Sequence, residues 1–374
     1  MVDEDEIGLC HFTMYFTARL ALPVAALIAA VGLASGQVLE PPPASLQLPA
    51  PAHRGAVERI KVHGSSLEGN LEGDLPDRDV SVYLPPSYKT HSKQHYPVLY
   101  LLHGYFDRDD NWFGAKHIFA DAPLAIDRAI AQGSREMIVV MPDAYTIYRG
   151  SMYSNSVTTG DWEGFVTRDL IAYIDTHYRT IPARASRGLA GHSMGGYGTI
   201  RIGMKYPDIF SSLYAMSACC LTPNADPQWP GMKEAEMVRS SADIGNHFGT
   251  GAIIAMAAAW SPNPKKPPLY LDLPFADGKL QAAVAARWDA NSPLAMLDQY
   301  VTNLKKFGAI ALDAGTKDPL LPSIQQLDAR MTLFAIDHTF ATYEGTHMNG
   351  IQTRLEKDVI PFFSKHLSFG QARP

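Results

Sequence analysis

Gly191-His192-Ser193-Met194-Gly195 reads Gly-x-Ser-x-Gly, the spacing that sets a serine on a sharp turn between a strand and a helix. Its glycines have a steric reason, because side chains two positions either side of the serine would collide in so tight a reversal. A serine hydroxyl is a poor nucleophile at neutral pH. It needs a base for its proton, an acid to orient that base, and N–H donors for the oxyanion. On a strand-turn-helix serine the partners follow in the order serine, acid, histidine. Asp318 is the acid candidate, in Gly315-Thr316-Lys317-Asp318-Pro319-Leu320, on a loop after an apolar strand ending at Ala314. Asp313 is its rival, inside that strand. His347 is the base candidate, in Tyr343-Glu344-Gly345-Thr346-His347-Met348, between a last strand and a terminal helix. His338 and His366 read as structural. The oxyanion donors are assigned to the backbone N–H groups of Met194, at a helix start, and Tyr105, after His103-Gly104; Phe106 is the alternative to Tyr105.

These residues need a scaffold that brings them to one edge. Apolar runs at 97–102, 137–141, 210–217 and 309–314 are nearly unbroken, as in strands buried on both faces. Residues 57–67 and 78–84 read as two earlier strands, and 338–343 as the last. Helical stretches are expected at 122–132, 162–178, 195–206 and 350–366. This alternation predicts one α/β domain covered on both faces. Catalytic groups gather at the C-terminal edge of such sheets. Residues 221–300 break the rhythm with Pro223, Pro227, Pro230, Pro262, Pro264, Pro267 and Pro268, and carry helices at 250–260 and 279–289. That stretch is too long for a plain connection and is expected to be an inserted cap; the alternative is a surface excursion without a role in binding.

The remaining features narrow the class. Residues 1–36 read as a signal peptide: a short basic start at 14–19, an apolar run at 20–33, and small residues Ala34-Ser35-Gly36 before Gln37. The acidic residues 1–13 fit no such start, which points to Met14 as the true initiator. A single membrane anchor is the alternative. Residues 37–56 form a Pro-rich leader, and the main domain is expected over 57–367. The expected location is secreted or periplasmic, without stable membrane insertion after cleavage. Among 374 residues there are only three cysteines. Cys219 and Cys220 are adjacent and could bond only through a strained eight-membered ring, so two buried thiols at a strand end are expected. A net charge of −6 with no basic run argues against nucleic acid. The 13 histidines are scattered and no Cys-x-x-Cys occurs, so no metal and no cofactor are expected. Asp107, Asp109 and Asp110 lack the glycine and terminal glutamate of a calcium loop and read as a polar loop.

Taken together, these motifs resemble the putative-esterase family of α/β-hydrolases, which includes feruloyl esterases, S-formylglutathione hydrolases (esterase D) and mycolyltransferases. The resemblance runs over about residues 57–367. It is carried by Val82-Tyr83-Leu84-Pro85, the run Tyr96 to Gly104, Gly191 to Gly196, Gly315 to Asp318 and Gly345-Thr346-His347. It implies an α/β-hydrolase fold with a mostly parallel central sheet, nucleophile Ser193, acid Asp318, base His347 and oxyanion donors Tyr105 and Met194. It does not carry substrate specificity, because the insert lies where relatives vary most.

The function expected is an exported carboxylic-ester hydrolase working through an acyl-enzyme. Phe106, Trp112, Tyr153 and Trp162, together with Tyr105, are candidates for an aromatic wall suited to aromatic or sugar-linked esters; the alternative for these rings is the core. An acyltransferase would use the same residues with a sugar or alcohol acceptor. Thioester hydrolysis of S-formylglutathione fits poorly with an export signal. A binding protein on a hydrolase scaffold would normally lack one of the catalytic positions, and here all are filled.

Overall fold

A computed structural model describes residues 51–114, 120–222 and 225–370. The expected signal peptide and most of the expected leader lie outside the described residues. Eight strands build the central sheet: β1 (Ala56–His63), β2 (Asp77–Leu84), β3 (Val98–Leu102), β4 (Ile138–Pro142), β5 (Arg187–His192), β6 (Ser212–Met216), β7 (Ala309–Gly315) and β8 (Thr339–Tyr343). Their spatial order is β1-β2-β4-β3-β5-β6-β7-β8. β2 runs antiparallel to β1 and β4, and every other pairing is parallel.

Every residue of β3, β4 and β6 is buried, as unbroken apolar runs require. Side chains still alternate. In β3, Val98, Tyr100 and Leu102 join the larger core, while Leu99 and Leu101 join the smaller one on the other face. The smaller core is closed by helix α1 (Ala122–Ala131) and by the terminal helical run through Ile351, Leu355, Val359 and Phe363. The larger core is closed by α2 (Leu170–His177), α3 (Met194–Lys205) and part of the insert. Where one strand was expected over 57–67, the strand ends at His63. A Cβ at Gly64 would meet the Phe165 ring at 2.6 Å, and Ser65–Leu67 turn away as a short tight helix.

The insert contains α4 (Phe248–Trp260), α5 (Ala282–Asp289) and the start of α6 (Pro293–Leu304). Its inner face is aromatic: Trp260 lies 5.4 Å from Trp288 and 5.6 Å from Tyr197 of α3, centroid to centroid. Tyr197 Oη donates to the Asn291 carbonyl at 2.9 Å. The insert also sits on the loops that leave β3 and β4. The Phe248 ring is 5.3 Å from Tyr105, Tyr148 Oη donates to the Leu269 carbonyl, and Ser156 Oγ donates to the Ala258 carbonyl. Those loops lie at the C-terminal ends of their strands.

The cysteine expectation is corrected. Cys219 and Cys220 are disulfide-bonded and half-buried rather than buried thiols. The turn after β6 supplies the backbone for it: the Cys219 N–H donates to the Ser193 carbonyl at 3.1 Å, and Cys220 takes a φ of 60°. Among the described residues no helix is long and apolar enough to cross a membrane.

Candidate active site

Ser193 stands between β5 and α3 with φ 56° and ψ −113°, a conformation that costs a non-glycine residue of order 1–3 kcal/mol. Surrounding contacts impose it. The Ser193 N–H donates to the Met216 carbonyl at 3.0 Å, and its carbonyl accepts from Tyr197 and Cys219. The flanking glycines are required by close approach. A Cβ on Gly191 would overlap the backbone of Gly195, and one on Gly195 would overlap the Leu102 carbonyl of β3.

The acid and base candidates arrive on two loops that are bonded to each other. Thr316 N–H donates to the Tyr343 carbonyl at 2.8 Å, and Lys317 N–H donates to the Gly345 carbonyl at 2.7 Å. Asp318 follows β7 and is 4 % exposed. His347 follows β8. Its Nδ1 lies 3.0 Å from Asp318 Oδ2, and its Nε2 lies 2.9 Å from Ser193 Oγ. An ionised carboxylate only accepts, so Nδ1 carries the proton and Nε2 is left to accept from the serine. Burial pushes the Asp318 carboxyl upward, but hydrogen bonds from His347, the Leu320 N–H and the Ser217 hydroxyl win and hold it below the ordinary carboxylate range. The rival Asp313 points into the core, where it accepts from Arg354 Nη1 at 2.6 Å and Tyr214 Oη at 3.1 Å.

On the opposite side of the serine, the loop after β3 passes close: a Cβ on Gly104 would lie 3.5 Å from Ser193 Cβ. His103 pins this loop. It accepts from the Ala144 N–H at Nε2, so Nδ1–H donates to the Gly104 carbonyl at 2.9 Å. The N–H groups of Tyr105 and Met194 have no hydrogen-bond partner among the described residues, whereas the Phe106 N–H donates to the Arg149 carbonyl at 3.0 Å. Two free N–H groups flank the serine and the alternative donor is already occupied.

The aromatic wall is corrected. Trp112, Tyr153 and Trp162 are at most 1 % exposed and line no open surface. Trp112 Nε1 donates to the buried Asp107 at 2.6 Å, Tyr153 Oη to the His103 carbonyl, and Trp162 Nε1 to the Thr159 carbonyl. Each polar tip is satisfied inside. Phe106 differs, being 44 % exposed. Asp109, read as part of a polar loop, is fully buried between Arg59 and Ser81. His91 and His95, four apart, are both exposed, and no group of metal-ligating side chains occurs among the described residues.

Two supports of the site carry no separate sequence signal. His192 is buried, and its Nε2–H donates to the His347 carbonyl at 3.0 Å, holding the base from behind. Burial, then the neighbouring His347 and Arg354 charges, push its pKa well below the ordinary value and keep it neutral. Ser217 Oγ accepts from the buried Arg354 at 3.3 Å while its hydroxyl supports Asp318.

The model of the family described as "Putative esterase" matches residues 76–353. The chain belongs to that family. An esterase of Mycobacterium tuberculosis is 33% identical over 141 residues, which is 36% of this chain and 27% of that protein. An endo-1,4-beta-xylanase/feruloyl esterase of Xylanibacter ruminicola is 33% identical over 136 residues, 35% of this chain and 18% of that protein. The matched part thus spans about a quarter or less of these curated relatives. Among solved structures, a ferulic acid esterase superposes with a TM-score of 0.61 at 23% identity, covering 84% of this chain and 100% of its own. A fluorophosphonate-binding serine hydrolase of Staphylococcus aureus gives 0.54 at 16% identity, with 83% and 98% covered. At these identities the likeness is one of fold, and that fold is the α/β-hydrolase arrangement.

Proposed function

We propose that this family member hydrolyses carboxylic esters through an acyl-enzyme on Ser193. The observation that carries the reading is the chain Ser193 Oγ, His347 Nε2, His347 Nδ1, Asp318, with links of 2.9 and 3.0 Å. Ser193 Oγ attacks the ester carbonyl while His347 Nε2 takes its proton. The tetrahedral oxyanion is held by the Tyr105 and Met194 N–H groups, the latter at the start of α3 where the helix dipole also favours negative charge. As the C–O bond breaks, His347 returns the proton to the leaving alkoxide. A water then gives a proton to His347 as it adds to the acyl carbonyl, and His347 passes that proton to Ser193 Oγ as the acyl C–O bond breaks, releasing the acid and free serine. Asp318 stays ionised throughout and stabilises the imidazolium.

The substrate proposed is an aromatic or sugar-linked ester, met outside the cytoplasm after removal of residues 1–36. The names of the ferulic acid esterase neighbour and of the xylanase/feruloyl esterase relative favour this choice. So do the exposed rings of Phe106 and Phe248 on either side of Tyr105. The insert is proposed to shape the substrate pocket as a cap. A fluorophosphonate probe followed by peptide mapping tests the mechanism: label on Ser193, together with turnover of p-nitrophenyl acetate that Ser193→Ala removes, is expected. Turnover retained in Ser193→Ala would end the reading.

A further inference from the structure

Among the described residues, Arg149, Arg187 and Arg354 each hold a buried side-chain nitrogen that lacks a hydrogen-bond partner. Arg187 and Arg354 have a carboxylate beside them, Asp175 at 2.5 Å and Asp313 at 2.6 Å. Arg149 has none within ion-pair distance among the described residues. It spends Nη2 on the Gly245 carbonyl of the insert, its guanidinium lies 5.0 Å from the Phe106 ring centroid, and Nη1 is left buried and unpaired.

A second unpaired donor belongs to the same seam. The Tyr105 hydroxyl is buried without a partner, and a Cβ on Gly251 of α4 would lie 2.5 Å from it. Burial raises its pKa and the Arg149 charge offsets part of that, so the phenol remains a protonated donor. The seam adjoins the catalytic serine. Gly150, next to Arg149, is packed so that a Cβ would meet the Tyr105 ring at 2.7 Å and Met194 Sδ at 2.8 Å, the two residues assigned to the oxyanion.

A buried donor left unpaired is costly, and an arginine kept without its own carboxylate is a binding group waiting for one. The complement of a cationic N–H and a phenol donor is a carboxylate, whose oxygens can accept from Arg149 Nη1 and the Tyr105 hydroxyl. We propose that Arg149 and Tyr105 form a subsite for a carboxylate carried by the ester substrate, beside the reacting carbonyl. This rests on the ester-hydrolase reading.

The test uses matched ester pairs on the full chain, with kcat/KM corrected for each ester's hydroxide-catalysed rate. One arm places the charge on the acyl side: p-nitrophenyl hemisuccinate against p-nitrophenyl pentanoate. The other places it on the alcohol side: 4-acetoxybenzoate against 4-acetoxybenzamide. The wild-type protein is expected to favour the anionic member of one pair by about tenfold or more, the scale of a charge-assisted hydrogen bond. Which pair shows it locates the carboxylate. That ratio should collapse in Arg149→Gln, persist in part in Arg149→Lys, and fall severalfold in Tyr105→Phe, which keeps the backbone N–H. The wild-type ratios stand even where a variant fails to fold. No anionic preference in either pair, or one unchanged in Arg149→Gln, overturns the subsite while leaving neutral-ester turnover, and so the esterase reading, intact. Absence of turnover for all four esters together with no fluorophosphonate label overturns both.

Discussion

The two walls of the active site are built differently. On the nucleophile side, from Gly191 to Gly196, every residue but Ser193 is buried, and both Ser193 backbone groups are bonded to the turn and strand end around them. Across the cleft, where the insert meets the loops after β3 and β4, rings of Phe106 and Phe248 are 44 % and 51 % exposed and polar atoms of Arg149 and Tyr105 lack partners. The first wall is over-determined and has room for one arrangement. The second has unsatisfied chemistry and open apolar surface. In the reading proposed above, the first wall sets the reaction type and the second the choice of ester.

The largest effects are expected on the first wall. His347→Ala and Asp318→Asn should each lower kcat for a short p-nitrophenyl ester by about 10³-fold or more, the non-additive losses of groups that act as a unit. A stopped assay with an unshifted melting curve checks this. Rates within tenfold of wild type would mean that another pair of side chains serves the serine. Next comes backbone fit. Gly195→Ala should cost more than about 4 kcal/mol and yield little folded protein, because its methyl would enter the Leu102 carbonyl. Gly104→Ala, with ordinary contacts from 3.5 Å, should cost less than about 1 kcal/mol. Denaturant midpoints compare them, and equal losses would erase the distinction between the two walls.

A smaller effect is tied to pH. The folded-state pKa of His192 lies well below its ordinary 6.5, so between those values the unfolded chain holds the extra proton. Its contribution to stability is complete above about pH 6.5 and declines as pH falls below it, by up to about 1.4 kcal/mol per unit. His192→Asn should flatten that part of the stability–pH curve, and an unchanged slope would assign it elsewhere. The smallest effect belongs to the second wall. Phe248→Ala should lower kcat/KM severalfold for a bulky aromatic ester and leave p-nitrophenyl acetate turnover near wild type. Equal losses on both esters would place Phe248 with the chemistry instead of the choice of substrate.

Much of the first wall is readable from the chain. Gly-x-Ser-x-Gly, a loop aspartate after an apolar strand and a histidine after the last strand are local patterns, and chain order links them. The second wall is not readable in that way. Trp112 and Trp162 look available in the chain, yet Trp112 is spent on the buried Asp107 carboxylate and Trp162 on a nearby carbonyl. Nothing local tells a tryptophan that lines a pocket from one that satisfies a core acid. Arg149 becomes notable only because no carboxylate among the described residues folds onto it, a property of the whole structure. Cys219–Cys220 failed for a related reason: the ring depends on the turn that Ser193 holds, and adjacency alone argued only its strain.

β8 is one of the two edge strands of the sheet, bonded to β7 alone, and its residues are half-buried or exposed. The histidine loop hangs from its end and is tied to the aspartate loop. Warming that loosens this margin would withdraw imidazole and carboxylate as one unit while the rest of the sheet persists. Heat should therefore silence the protein reversibly, some degrees before it melts, and cooling should return it to work without refolding.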